Sequence, residues 1–131
     1  MKNLCPCGSG RNFNDCCEAI ISGKKAAETA LELMRSRYVA FTQANGNYLM
    51  KSYHTKSRPI KEQKNIEKWA SSVIWIGLVI LQTEKGRAGD EFGYVEFKAL
   101  YLENGKPSEI HEKSLFQREN QKWVYVSGVH L

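Results

Sequence analysis

Helices first and an antiparallel sheet afterwards, an α+β fold, is what this sequence predicts, and three observations carry it. All four cysteines fall within the first 17 of 131 residues. From 26 to 44 apolar residues recur every three or four positions, the period of one helix face. After Ser72 that spacing shortens to two, the period of a strand with one face inward. The predicted order is a cysteine-rich unit over residues 1–22, then a larger unit over 26–131 in which helices pack on a curved sheet of four strands.

Residues 5–17 are rich in Gly, Asn and Cys, with Phe13 the one large apolar side chain. Such a unit cannot build its own core. Residues 18–26 read as a connection broken at Ser22-Gly23. Ala27, Leu31, Met34, Tyr38 and Phe41 then form the apolar stripe of a long helix, and Asn45-Gly46-Asn47 stops it. A short helix follows over 48–54, and after Pro59 a third over 61–71 turns Ile66 and Trp69 inward. Strands are expected over 75–83, 92–102, 108–118 and 123–129. Asn104-Gly105 marks a tight hairpin between the second and third.

Composition is that of an ordinary globular chain, 42% hydrophobic and 25% charged. The formal net charge is +5, counted with neutral thiols, and four thiolates on a divalent ion would leave about +3. The basic residues are scattered, so nothing singles out nucleic acid as a partner. Met1-Lys2-Asn3-Leu4 leads straight into the first cysteine with no signal-like apolar stretch, and the longest apolar run, 73–81, is far short of a membrane span. No membrane association and a cytoplasmic location are expected, and in that compartment clustered thiols hold metal more often than they form disulfides.

The spacing Cys5-x-Cys7, eight residues, then Cys16-Cys17 suits one ion held by four sulfurs. Pro6 fixes one backbone angle of the turn between the first pair. Gly8 and Gly10 supply the left-handed conformations that a sharp reversal needs. A disulfide is the competing reading, but bridging the adjacent Cys16 and Cys17 would close a strained ring. Zinc matches a closed set of four thiolates best, with iron the alternative. Four protein ligands leave no position for substrate, which points to a structural ion rather than a catalytic one.

The string Cys5-Pro6-Cys7-Gly8-Ser9-Gly10-Arg11-Asn12-Phe13-Asn14-Asp15-Cys16-Cys17 resembles the SEC-C motif, the zinc knuckle at the C-terminus of the bacterial preprotein translocase motor. There the knuckle contacts an export chaperone and the ribosome. Elsewhere it is appended to unrelated domains, so the resemblance implies metal and docking but not translocation. The remainder resembles the YchJ-like family of bacterial proteins through Leu33-Met34-Arg35-Ser36-Arg37-Tyr38-x-x-Phe41, Tyr48-Leu49 with His54, and Trp75-x-Gly77-Leu78. Phe92-Gly93-x-Val95-x-Phe97, Glu112-x-Ser114-x-Phe116 and Trp123-x-Tyr125-x-x-Gly128 complete it. That resemblance implies a fold similar to nuclear transport factor two, a cone of helices against a curved sheet, and offers no activity.

Cones of this kind often enclose a cavity, so inward polar residues are the candidates for further chemistry. On the third strand Ile110, Glu112, Ser114 and Phe116 share a face, and the apolar pair marks it as inward. A buried Glu112 needs a partner. Arg35 or Arg37 on the long helix is expected to pair with it, with Tyr38 donating a hydrogen bond and His54 bordering the same space. A Glu–Arg clasp joining sheet to helix is the structural expectation, and a Glu112–His54 acid–base pair the functional alternative. His111 and Lys113 are expected to face outward, and His130 stands apart at the end of the chain.

Two functions follow as expectations. One is a cytoplasmic zinc-binding adaptor whose knuckle docks on a protein or ribosomal partner. The other is a small-molecule-binding or enzymatic cone carrying a structural zinc tag. Because 26–131 holds nearly all the apolar pattern, that part is expected to stay folded when metal is lost.

Overall fold

The computed structural model describes residues 3–131. A reversed loop and a 3-10 turn (Phe13–Asp15) lead into the short helix α1 (Cys17–Ile21). Helices α2 (Ala30–Thr42), α3 (Gly46–Lys51) and α4 (Gln63–Ser72) follow, the last preceded by a 3-10 turn (Ile60–Glu62). Four strands then run as a meander: β1 (Ile74–Lys85), β2 (Phe92–Glu103), β3 (Lys106–Glu119) and β4 (Lys122–His130). Every neighbouring pair is antiparallel and the sheet order is β1-β2-β3-β4.

Helix α2 begins four residues later than the apolar stripe alone predicts. The Thr29 hydroxyl accepts from the Glu32 amide, and the Glu32 carboxylate accepts from the Glu28 amide. Thr29-x-x-Glu32 is a capping-box sequence, which satisfies otherwise unpaired N–H groups at the helix start. Asn45 caps α3 in the same manner, accepting from the Tyr48 amide. Residues 18–21, read as connection from the sequence, are helical and continue from Cys17.

The β2–β3 hairpin turns at Asn104 and Gly105, both with positive φ (53° and 78°), the geometry that Asn-Gly favours. Inward positions along β2 and β3 alternate cleanly: Val95, Phe97, Ala99 and Glu112, Ser114, Phe116 are all buried. His111 and Lys113 face outward, as expected, against Glu96 (2.8 Å) and Glu84 (3.1 Å). Strand β1 is apolar along most of its length but only partly buried. It lies at the sheet edge, and Ile76, Val79 and Leu81 are exposed. Its register shifts twice, between Trp75 and Gly77 and between Ile80 and Gln82. The first extra residue moves the inward set by one position, so that Trp75, Leu78 and Ile80 all pack against the core.

Where the β1–β2 turn meets α2 the backbones touch. The Ala30 amide donates to the Gly86 carbonyl, and Gly86 donates to Phe92. A Cβ on Gly93 would collide with the backbone of Gly86, which itself has φ +76°. Gly93→Ala is therefore expected to destabilise the chain by about 1–3 kcal/mol, because the contact is backbone on backbone and cannot relax by a rotamer change. Thermal unfolding checks this, and an unchanged midpoint would refute the close approach.

Candidate metal centre and adjoining cavity

Residues 3–13 fold back on themselves. The Cys5 amide donates to the Arg11 carbonyl (2.8 Å) and the Phe13 amide to Asn3 (2.8 Å). Gly8 and Gly10, both at φ +83°, make the reversal. This brings the sulfurs of Cys5, Cys7, Cys16 and Cys17 within 4.8 Å of one another, with 3.6 Å between Cys7 and Cys16 and 3.9 Å between Cys16 and Cys17. A tetrahedron with metal–sulfur bonds of about 2.3 Å has edges of about 3.8 Å, so the spacing is that of one shared ion.

All four cysteines are buried, Cys7 completely. Four thiolates so close cannot ionise together unaided. The Cys7 thiolate is stabilised by the Cys17 thiol that donates to it, which pulls its pKa down to about 4 despite burial. That same hydrogen bond, and then burial, push Cys17 far above the ordinary thiol range. Burial raises Cys5 to about 11. A divalent cation supplies the positive charge that lets all four be thiolates, and the donor set is complete without solvent. The Ser9 hydroxyl lies 3.2 Å from the Cys16 sulfur and would steady it.

The knuckle is not a loose appendage. Its cysteines belong to the same buried cluster as Leu33, Tyr38 and Val39 of α2 and Phe97 of β2. Arg35 reaches across from α2 and donates through Nη1 to the Cys7 carbonyl (2.5 Å). Gly8 sits beside the Leu78 carbonyl of β1 and the Arg35 guanidinium. The expectation that the larger unit is indifferent to the metal does not fit this packing.

On the far side of α2 lies a cavity of about 310 Å³, bounded by α2, α4 and the inner face of the sheet. Glu112 and Ser114 line it, as the sequence suggested, and so do Arg37 and Tyr38. The expected clasp is absent. Arg35 is committed to the knuckle. Arg37 donates through Nη1 to the Ser52 hydroxyl (2.5 Å) and the Leu49 carbonyl (3.3 Å). Its guanidinium is stacked between the rings of Tyr53 and Tyr125, 4.5 and 4.3 Å from their centroids. Glu112 instead accepts at Oε2 from the Ser114 hydroxyl (2.5 Å) and the Tyr125 hydroxyl (2.9 Å). Burial, and next the adjacent Glu112 carboxylate, hold the Tyr125 phenol well above its usual range.

Tyr38 does not reach Glu112. It packs edge-on against Trp75, with burial raising its pKa to about 12. His54 lies elsewhere, with its Nε2 3.4 Å from Glu119 and its backbone bonded to Tyr125. The histidine at the cavity is His130, whose Nε2 is 3.7 Å from Glu112 Oε1. Sequence reasoning missed it because β4 carries a bulge. Phe116 pairs with Tyr125 but Leu115 pairs with Ser127, so inward positions change from odd to even between Tyr125 and Gly128. Gly128 lies directly beneath the Glu112 carboxylate, where any Cβ would collide with it.

Two predictions follow from these contacts. Elemental analysis of protein purified without chelator should find about one metal equivalent, and chelation should lower the main unfolding transition rather than melt the knuckle alone. Unchanged melting on chelation would mean that the shared core does not depend on the ion. In double-mutant cycles Arg35→Met and Glu112→Gln should add to within about 0.5 kcal/mol, since they share no partner, whereas Tyr125→Phe and Glu112→Gln should not.

Comparison with known proteins accords with both parts of the chain. Residues 1–19 match the SEC-C motif, and residues 29–128 match the model described as YchJ, middle NTF2-like domain. The chain is 42% identical over 128 residues to a UPF0225 protein of Geobacter sulfurreducens, covering 98% of this chain and 80% of the relative. It is 43% identical over 131 residues to a UPF0225 protein of Photorhabdus laumondii, covering 98% and 82%. The solution structure of a SEC-C motif containing protein from Rhodopseudomonas palustris superposes with a TM-score of 0.88 at 26% identity, over 100% of this chain and 99% of that one. A crystal structure of a SEC-C motif containing protein from Psychrobacter arcticus gives 0.80 at 27% identity, over 94% and 80%. With a SEC-C motif, whose four clustered cysteines could hold a metal ion, leading into the matched middle domain, this chain belongs to the YchJ-like UPF0225 family.

Proposed function

We propose that this chain is a cytoplasmic zinc-binding adaptor: zinc organises the knuckle, and the outer surface of the knuckle docks on a protein or ribosomal partner. The observation that carries the reading is the division of the knuckle into two faces. All four sulfurs point into the core, whereas Pro6, Gly8, Gly10, Arg11, Asn12 and Asn14 are exposed. A closed set of four thiolates has no room for substrate, so the ion serves shape rather than reaction. Zinc is favoured over iron because it has no redox chemistry to expose buried sulfurs to. Free thiols suit the cytoplasm, and no helix among the described residues is long and apolar enough to cross a membrane. Docking by a small, rigid polar surface agrees with the SEC-C knuckle's habit of being appended to different domains.

The test keeps the metal and changes the surface. Arg11→Glu combined with Asn14→Glu should leave zinc content and melting essentially unchanged while weakening co-sedimentation with purified ribosomes and recovery of cross-linked protein partners. If the variant and the unaltered chain recover the same partners equally well, or neither recovers any, the docking role fails and zinc is left as a purely structural element.

A further inference from the structure

The cavity beneath α2 contains two buried, opposite charges that do not pair with each other. Arg37 is 6% exposed and Glu112 is 9% exposed, and both line the cavity. A guanidinium offers five N–H donors. Both protein hydrogen bonds of Arg37 leave from Nη1, and among the described residues no carboxylate oxygen lies within 4.0 Å of it. Glu112 is half satisfied in the complementary sense. Its Oε2 accepts two hydroxyl donors, while its Oε1 has only the His130 ring at 3.7 Å, beyond hydrogen-bond reach. Tyr125 keeps the two apart, presenting its ring to Arg37 and its hydroxyl to Glu112.

Buried charges not joined in an ion pair are costly, and a core shaped for stability alone would join or replace them. Here both residues line one cavity of about 310 Å³, at the lower end of the range for small-ligand sites. Much of the rest of its wall is apolar, with Phe41, Trp69, Trp75 and Phe97 lining it. A singly charged molecule would satisfy one of the two groups and be repelled by the other. A molecule with a carboxylate and an ammonium group would satisfy both.

We propose that this cavity is a binding site for a small zwitterion with a flat apolar body, of the aromatic α-amino acid class, with Arg37 taking the carboxylate and Glu112 the ammonium group. The aromatic wall receives the side chain, and its ring edges and faces suit stacking. His130 stands at the exposed end of the cavity beside Glu112, where it borders the ammonium position.

Calorimetric titration of the metal-loaded full chain at neutral pH tests this with three probes: phenylalanine, 3-phenylpropionate and phenethylamine. Phenylalanine is expected to bind at least about tenfold more tightly than either singly charged probe. Glu112→Gln should weaken phenylalanine while leaving 3-phenylpropionate unchanged or improved. Ala99→Leu, which fills the cavity from β2 without touching either charge, should abolish binding of all three. If that variant fails to fold, the ranking of the three probes on the unaltered chain decides alone. Equal or tighter binding of either singly charged probe overturns the proposal, and so does failure of phenylalanine to bind in the millimolar range.

Discussion

Four sulfur atoms gathered within 4.8 Å of one another and buried in the main core set the terms for the rest of the structure. Thiolates at that spacing repel one another, and a low-dielectric setting sharpens the repulsion. A cation at their centre reverses the sign of the problem, because each added thiolate then gains. The chain path is what this demands: two glycines in left-handed conformations reverse the loop, and α1 begins at a ligand, Cys17. The carbonyl of fully buried Cys7 needs a donor, which Arg35 provides from α2. The knuckle thereby gains a fixed seat on the helix that also roofs the cavity.

Helix α2 serves the two sites from different sides. Residues two apart on a helix are separated by about 200° around its axis, so Arg35 and Arg37 cannot share a partner. One turns to the knuckle and the other to the cavity, while Met34 and Tyr38, at the spacing of one turn, stay with the cavity. Treating the two arginines as interchangeable partners for Glu112 overlooks this geometry, which was already present in the numbering. The knuckle and the cavity therefore share one helix, with Arg35 bonded to Cys7 and Arg37 lining the cavity.

Legibility followed the local rules and failed where a register had to be known. The four strands, the Asn104-Gly105 turn and the inward face of Glu112 and Ser114 come from period and turn chemistry, which act within a few residues. The cysteine cluster was legible for the same reason, being packed into 13 residues of unusual composition. The start of α2 was also legible, in Thr29-x-x-Glu32, but the apolar stripe drew the boundary too early. Helix α1 was not, because five residues have no helical stability of their own and hold that form through the cysteines and α2. His130 was out of reach of any period argument. A single bulged residue on β4 reverses which positions face inward, and nothing in 122–130 announces it. The exposure of β1 was hidden similarly, since edge position is a property of the sheet and not of the strand.

The polar set around Glu112 is too closely fitted to be incidental. Gly128 leaves room for the carboxylate, the bulge on β4 brings Gly128 and His130 to the inner face after Tyr125, and Ser114 and Tyr125 fix one carboxylate oxygen. Each of these features costs stability in isolation: a glycine within a strand, a break in the ladder, a buried acid. An apolar residue at position 112 with a larger one at 128 would pack the same space more stably. An arrangement that forgoes available stability in one small region, while the surrounding core follows the ordinary rules, is what the proposed binding of a small zwitterion would call for. The Tyr125 ring makes the point most directly. Its ring lies against the Arg37 guanidinium and its hydroxyl donates to Glu112, so it contacts both charges while each lines the same cavity.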